Sequence, residues 1–76
     1  MELGNHIRKL RFENDEMSQQ TLAEKIGVTR MTIYSIEKGK YVPSTVLALK
    51  IAQVFNKSVE DIFFLNKDFG GNSNET

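Results

Sequence analysis

The spacing of hydrophobic residues divides this chain into short amphipathic segments. Leu3, Ile7 and Leu10 follow the i, i+4, i+7 spacing that places residues on one face of an α-helix. This spacing predicts a first helix over roughly residues 4–14. The polar sequence ENDE then interrupts the pattern.

A second, shorter helix is predicted over about residues 18–26. Ser18 is a favourable N-cap, because its hydroxyl can accept a hydrogen bond from a backbone amide of the first turn. Gly27 is suited to end this helix, since glycine adopts positive φ without steric cost. The residues that would face inward are Leu22, Ala23 and Ile26.

A third helix is predicted over about residues 29–38, directly after the second. Thr29 has the side chain of an N-cap, and Gly39 is placed to end the helix. Ile33 and Ile36 would face the interior. The second and third helices are therefore joined by only a few residues.

Two more helices follow Pro43, the only proline of the chain. The segment that begins at Ser44 is hydrophobic around much of its circumference, which predicts a central fourth helix. Ser58 and Asp61 have the spacing of a capping box and predict a short fifth helix. The hydrophobic residues of the fourth helix are Val46, Leu47, Leu49, Ile51, Val54 and Phe55, and those of the fifth are Val59, Ile62 and Phe63.

These segments predict an all-α domain of five short helices, with no internal repeat and no strand-like segment of useful length. Seventy-six residues suffice for one small domain, which we expect to occupy residues 1–65. Residues 66–76 are polar and glycine-rich, with Phe69 as their single large hydrophobic residue. We expect them to form a loose tail.

The overall charge of the chain indicates no function, and its composition excludes only a few kinds of site. Ten Lys and Arg residues balance ten Asp and Glu residues, so a nucleic-acid interface must be argued from local charge. Between residues 28 and 40, Arg30, Lys38 and Lys40 outnumber a single acidic residue, Glu37. The chain has no cysteine for a disulfide or a thiolate zinc site, and no hydrophobic run near the roughly 20 residues that span a bilayer. We expect a cytoplasmic protein with no membrane partner.

The short connection between the second and third helices indicates a helix-turn-helix. Two helices joined by about three to four residues cross steeply, and their backbones approach at a point where the inner residue must be small. Ala23 is that residue, and Gly27 supplies the left-handed turn. The outer side of the third helix would then protrude and fit the major groove of B-DNA. Similar spacing occurs in helical hairpins that bind nothing, so the motif alone leaves both interpretations open.

A longer segment favours the first of these interpretations. The sequence MSQQTLAEKIGVTRMTIYSIEKGKYVPSTVLALKIAQVFNKSVEDIF, residues 17–63, closely resembles the Cro and lambda-repressor-like helix-turn-helix family, also called the xenobiotic-response-element family. With the segment IRKLR at residues 7–11, the likeness covers nearly the whole chain except the tail. The resemblance implies a five-helix lambda-repressor-like DNA-binding domain of a bacterial or phage-type transcriptional regulator.

The resemblance also implies roles for individual residues. Gln19, at the start of the second helix, would touch phosphate and brace the third helix, which is the recognition helix of such proteins. Arg11 and Glu37 match a pair that forms an internal ion pair in this family. The residues that would reach base edges are Arg30, Met31, Thr32 and Ser35, and those that would contact the DNA backbone are Gln19, Thr29, Lys38, Lys40 and Tyr41.

The chain departs from the family pattern at three places. Met31 stands where members often carry Gln; methionine cannot form the bidentate hydrogen bonds that Gln makes with adenine, but it can pack against a thymine methyl group. Thr21 replaces a frequent Glu, which removes a full capping box after Ser18. The segment FENDEM is longer by one residue than the commonest spacing between the first two helices, which affects the path of that loop.

Several of these residues also have a purely structural interpretation. Arg30 is suited to a bidentate contact with guanine, the commonest specific base contact, and its alternative is a solvated surface charge. Met31 is either a partly buried packing residue or a base contact. Ordinary surface positions are the alternative for Gln19, Lys38, Lys40 and Tyr41. His6 has only Glu2 at a metal-ligand spacing and is expected on the surface of the first helix.

No feature of the sequence supports an enzyme. The chain shows no nucleophile with a neighbouring base and no glycine-rich loop that would cradle phosphate, and Gly70 and Gly71 lie in the polar tail. We therefore expect no catalysis, no cofactor, no metal site and no small-molecule ligand.

The leading hypothesis is a sequence-specific DNA-binding transcriptional regulator, most simply a repressor that occupies its site. A rival hypothesis is a protein-interaction module, either the antitoxin of a toxin pair or an adaptor. A homodimer is expected, because a palindromic operator requires two recognition helices. Its interface is predicted at the fifth helix and the hydrophobic residues beside it, Ile62, Phe63, Phe64 and Leu65.

Overall fold

Five helices and two short strands make up the described part of the chain, residues 3–66 of a computed structural model. In chain order they are β1 (Leu3–Asn5), α1 (Ile7–Glu13), α2 (Gln19–Ile26), α3 (Arg30–Glu37), α4 (Thr45–Phe55), α5 (Val59–Ile62) and β2 (Phe63–Leu65). The five predicted helices are confirmed, and α3 is the predicted recognition helix. The predicted tail, apart from Asn66, lies outside the described residues.

Side-chain caps begin the helices where the sequence predicts them. Ser18 and Thr29 each accept a hydrogen bond from the amide three residues ahead, at 2.9 and 3.3 Å. Ser58 and Asp61 form a complete capping box at α5. At α2, the Ser18 hydroxyl donates to the Thr21 hydroxyl at 3.0 Å, a local bond in place of the capping box that Thr21 removes. Each cap satisfies an amide that has no partner inside the helix and so defines the helix start.

One hydrophobic core lies between the helices. Within it α2 contacts both α3 and α4, and α4 contacts α5. The core residues are Ile7, Leu10, Leu22, Ala23, Ile26, Ile33, Ile36, Leu47, Ile51, Ala52, Phe55, Ile62 and Phe63. The fourth helix is central on one side only, because Val46 and Leu49 on α4 are 63% and 52% exposed.

The structure differs from the all-helical expectation at the two ends of the domain. β1 and β2 form an antiparallel two-stranded sheet, in which Leu3 lies opposite Leu65, Gly4 opposite Phe64 and Asn5 opposite Phe63. The His6 amide extends this ladder by donating to the carbonyl oxygen of Ile62 at 2.9 Å. The first helix therefore begins at Ile7 rather than near residue 4, and Phe63 belongs to a strand rather than to the fifth helix. Strands of three residues are too short to show an alternating pattern.

The loop between α1 and α2 contains two consecutive residues with positive φ, Asp15 at 58° and Glu16 at 54°. The left-handed conformation costs a non-glycine residue about 1–2 kcal/mol. Two hydrogen bonds of 2.8 Å hold the loop: the Met17 amide donates to the Arg11 carbonyl oxygen, and Nη1 of Arg11 donates to the Met17 carbonyl oxygen. Arg11 therefore holds the path of the longer FENDEM segment.

Candidate nucleic-acid interface

Ala23 and Gly27 lie where α2 leads into α3. Ala23 is 0% exposed, and its carbonyl oxygen accepts a hydrogen bond from the Val28 amide at 3.0 Å. Gly27 has a φ of 77°, and a Cβ placed on it would meet no neighbouring atom within 4 Å. Glycine is therefore favoured there by the backbone conformation and not by crowding. Ala23 is fully buried, as expected of the small residue predicted at the crossing of the two helices.

The predicted recognition helix, α3, is anchored to the core through one side and exposed on the other. Ile33 and Ile36 are 0% and 2% exposed and fix α3 to the core. Arg30 and Met31, at the N-terminal end of α3, are exposed, and the 56% exposure of Met31 excludes a role in the core. The other two residues predicted to reach base edges, Thr32 and Ser35, are half-buried on the same helix.

A shallow hollow of about 250 Å³ joins α3 to the segment that follows it. All of its lining residues are predicted to touch DNA: Thr29, Met31, Thr32, Ser35, Lys40 and Tyr41. Gly39, with a φ of 78°, ends the helix and turns the chain so that Lys40 and Tyr41 return beside it. The structure thus brings these six residues together on one surface.

Tyr34 is a surface residue of α3 that was absent from the predicted contact residues. It is 38% exposed, and Nζ of Lys38 lies over its ring, 5.7 Å from the centroid. A cation at this distance is attracted to the face of an aromatic ring. Lys38 therefore has a contact within the protein as well as a predicted contact with DNA. The i, i+4 spacing of the two residues was the available signal in the sequence.

Arg11, Gln19 and Glu37 form a hydrogen-bonded cluster that joins α1, α2 and α3. Arg11 donates from Nε to Oε2 of Glu37 at 2.7 Å and from Nη2 to Oε1 at 3.1 Å. Gln19 donates from Nε2 to Oε1 of Glu37 at 3.2 Å. The predicted ion pair is therefore present, with side chains only 9% and 8% exposed. Because a bidentate pair fixes the geometry of both groups, the cluster holds the C-terminal end of α3 against its neighbours.

The pairing of Glu37 changes the charge of the α3 surface. Its carboxylate is directed at Arg11 inside the protein, so it does not offset the neighbouring basic residues on the outside. Arg30, Lys38 and Lys40 are all exposed. The exposed charges between residues 28 and 40 are therefore all positive, which suits a surface that meets phosphate.

The four hydrophobic residues predicted to form a dimer interface divide into two pairs. Ile62 and Phe63 are 0% and 8% exposed and belong to the core of a single chain, so they are not available on the surface. Phe64 and Leu65, on β2, are 40% and 61% exposed. Any interface in this region is therefore formed by the strand and not by the inner side of α5.

The described residues offer few groups for other chemistry. Within residues 3–66, no three or more histidine, aspartate or glutamate side chains are grouped so that they could hold a metal ion. His6 is exposed just before α1, and its ring centroid lies 4.8 Å from that of Phe64. In the same part of the chain, every helix is too short or too polar to cross a bilayer.

Comparisons with known proteins agree with this geometry. The helix-turn-helix family matches residues 7–62. YgzD, an uncharacterized HTH-type transcriptional regulator of Bacillus subtilis (strain 168), is 47% identical over 66 residues, which cover 87% of this chain and 98% of that protein. An uncharacterized HTH-type transcriptional regulator of Archaeoglobus fulgidus is 54% identical over 66 residues, which cover 87% of this chain and 93% of the relative.

Two more distant similarities extend the comparison. Control protein C.MunI of a Mycoplasma species is 35% identical over 60 residues, which cover 79% of this chain and 81% of that protein. The crystal structure of a Bacteroides fragilis protein proposed to bind DNA matches with a TM-score of 0.71 and 24% identity. The match covers 82% of this chain and 98% of that one and, at this identity, supports the fold alone.

Proposed function

Because the chain belongs to the helix-turn-helix family of DNA-binding transcriptional regulators, we propose that it is a sequence-specific repressor that inserts α3 into the major groove. It would act on DNA in the cytoplasm by occupying its site. The family is regulatory and not enzymatic. The observation that carries the proposal is the face of α3, which exposes Arg30 and Met31 and presents only positive charge.

Two kinds of contact are expected on this face. Arg30, the first residue of α3, would read a guanine edge, and Met31 would pack against a thymine methyl group. Lys40, beyond the turn at Gly39, would contact phosphate and hold the protein without reading bases. Gln19 can contribute as well, since its amide nitrogen carries two hydrogens and one hydrogen bond to Glu37 leaves the second for a phosphate oxygen.

Arg30→Ala is expected to weaken binding to the preferred site by about 1–3 kcal/mol and to relax preference at one base pair of each half-site. The preferred site is first obtained by selecting genomic fragments that bind the purified protein. Affinity is then measured for this duplex and for a scrambled duplex. Arg8→Ala, which removes an exposed arginine of α1, is the matched control and should retain the preference. An equal loss on both duplexes for Arg30→Ala would show that Arg30 does not read bases.

Lys40→Ala should weaken binding to both duplexes alike, because a phosphate contact carries no base information. The slope of log K against log salt should become shallower by about 1 per subunit. Lys57→Ala removes an exposed lysine between α4 and α5 and should leave the slope unchanged. An unchanged slope for Lys40→Ala would remove Lys40 from the DNA contacts.

The exposed part of β2 is the proposed interface of a homodimer. Phe64 and Leu65 are hydrophobic and exposed, and a two-fold axis through such a surface would bring the same residues of two copies together. Reading a palindromic operator requires the two helices to be about 34–36 Å apart. In such a dimer, each contact that one subunit makes with its half-site is repeated by the other subunit.

Light scattering should show a dimer that Leu65→Asp converts to a monomer. The measurement uses protein at tens of micromolar, on the order of the dissociation constant of a weak dimer. Val46→Asp is the matched control, because Val46 is as exposed as Leu65, at 63% and 61%, but lies on α4. A monomeric wild type that occupies a single half-site would overturn the proposed dimer. Dissociation by Val46→Asp alone would move the interface to α4.

The exposed residues Phe64 and Leu65 would equally serve the rival function, an antitoxin or an adaptor that binds another protein. The two functions differ in how they respond to DNA sequence. A gel shift that depends on salt but not on sequence favours an adaptor, and a neighbouring gene for a toxin-like protein favours an antitoxin.

A further inference from the structure

Asn5, the last residue of β1, links two helix ends through its side-chain amide. Its Nδ2 donates to the carbonyl oxygen of Ile36 in the last turn of α3, at 3.0 Å. Its Oδ1 accepts from the amide of Ile7, the first residue of α1, at 3.1 Å. This second bond caps α1, whose N-cap residue His6 makes no side-chain cap. One half-buried side chain thus joins the start of α1 to the end of α3.

A second observation places β1 beside the end of the recognition helix. A Cβ built on Gly39, in the turn that ends α3, would lie 3.8 Å from the carbonyl oxygen of Leu3. The Gly39 amide donates to the Ile36 carbonyl oxygen at 3.0 Å, the same atom that Asn5 reaches. The strand and the turn therefore meet at one carbonyl group.

The strand that carries Asn5 is itself held in place. Asn5 pairs with Phe63 of β2, and the next residue, His6, donates to the Ile62 carbonyl oxygen at 2.9 Å. The ring of Phe64 covers Gly4 so closely that a Cβ at this position would collide with it. Because the residues on both sides of Asn5 are fixed, its amide is a rigid support for α3 rather than a mobile surface group.

We propose that Asn5 is a positioning residue for DNA discrimination, an inference that rests on the proposed function. The last turn of α3 is held at two adjacent residues, Ile36 through its carbonyl group and Glu37 through its side chain. Arg30, the proposed reader, is six residues before Ile36, a distance of about 9 Å along a helix axis. A tilt of about 10° about the held end would displace it by about 1.5 Å, more than the ~0.5 Å that a well-formed contact tolerates.

The variant Asn5→Ser separates the two hydrogen bonds. A serine hydroxyl at this position can still accept from the Ile7 amide but is too short to reach the Ile36 carbonyl oxygen. The ratio of dissociation constants for the scrambled and preferred duplexes should fall by about threefold and by no more than about tenfold, because the net free energy of one neutral hydrogen bond limits what this support contributes to the position of α3. Amide hydrogen exchange of the folded protein without DNA should be faster at Gly39, whose partner carbonyl is no longer held.

Asn14→Ser is the matched control. Asn14 also donates from Nδ2 to a backbone carbonyl oxygen, that of Leu10 at 2.9 Å, but it does so at the end of α1 and has no contact with α3 through this bond. Its variant should lower stability without changing the ratio for the two duplexes. If Asn5→Ser does not fold, Asn5→Asp is the second variant, because it keeps an acceptor for Ile7 and replaces the donor to Ile36 by a carboxylate oxygen. This oxygen also repels the Ile36 carbonyl oxygen, so the ratio should fall at least as far as in Asn5→Ser.

An unchanged ratio in folded Asn5→Ser overturns the inference, as does an equal fall in Asn14→Ser, since a merely structural role would affect both variants alike. A wild type that binds both duplexes equally overturns the proposed function instead. In that event, hydrogen exchange at Gly39 still tests whether Asn5 holds the end of α3. Unchanged exchange in Asn5→Ser would show that it does not.

Discussion

Glu37→Leu is expected to lower the free energy of unfolding by about 3–5 kcal/mol, the usual cost of removing one partner from a buried ion pair. The variant leaves the Arg11 guanidinium, 9% exposed, with the Met17 carbonyl oxygen as a partner but without a countercharge. Arg11→Met should cost a similar amount, because among residues 3–66 the Glu37 carboxylate would then keep a single hydrogen bond, from Gln19. Denaturant melts at one fixed protein concentration measure both effects.

The double variant Arg11→Met/Glu37→Leu should recover part of the lost stability, because two hydrophobic side chains can replace a buried ion pair at little cost. The hydrogen bonds of this cluster to Met17 and from Gln19 are not recovered. The difference from the sum of the single effects measures the interaction. Glu24→Leu is the matched control: its carboxylate also accepts from a glutamine, Gln20 at 2.9 Å, but on an exposed surface, and its effect should be within about 0.5 kcal/mol. Additive effects of the two single variants would contradict a direct interaction between Arg11 and Glu37.

Ile33→Ala is expected to destabilise the protein by about 2–5 kcal/mol, the range for deleting a large buried aliphatic side chain. Ile33 is 0% exposed and fixes α3 to the core, so the deletion leaves a cavity beneath the recognition helix. At about 0.05–0.15 kcal/mol per residue, a chain of 76 residues has a total stability of about 4–11 kcal/mol. The variant therefore loses a large part of it, and its melting temperature should fall by about 8 °C or more. Thermal melting followed by circular dichroism tests this.

Met31→Ala is the matched control on the same helix. Met31 is 56% exposed, so its truncation should change stability by no more than about 0.5 kcal/mol while weakening a proposed contact with DNA. The two variants therefore separate stability from recognition. A large loss of stability in Met31→Ala, with little change in Ile33→Ala, would mean that α3 is seated on the core through a different face.

The helical part of the fold was predictable because its signals are local. N-caps act within three residues, hydrophobic residues repeat within one or two turns, and a glycine at positive φ ends a helix at its own position. These signals located Ser18, Thr29 and Ser58 as caps and Gly27 as the turn of the helix-turn-helix. The Arg11–Glu37 pair came from the family resemblance, because nothing local relates residues 26 positions apart.

The features that required the tertiary structure all depend on contacts between distant parts of the chain. Leu3 fits the helical spacing of Ile7 and Leu10, yet it pairs with Leu65 in a strand. The backbone N–H and C=O groups of this segment find their hydrogen-bond partners in β2 and not in a helix. In β2, Phe63 is buried, whereas Phe64 and Leu65 are exposed. The sequence shows three consecutive hydrophobic residues and does not indicate which of them is buried.

The charge of the α3 surface likewise depends on both local and distant interactions. The sequence by itself determined the short helices, their caps and the turn that presents α3, since each rests on interactions within a few residues. Only the tertiary structure decided that Glu37 faces Arg11 instead of solvent and that Asn5 reaches Ile36. Those side chains meet because packing of the core brings α1, α3 and β1 together, and an ion pair or a hydrogen bond forms only where its partners are within reach.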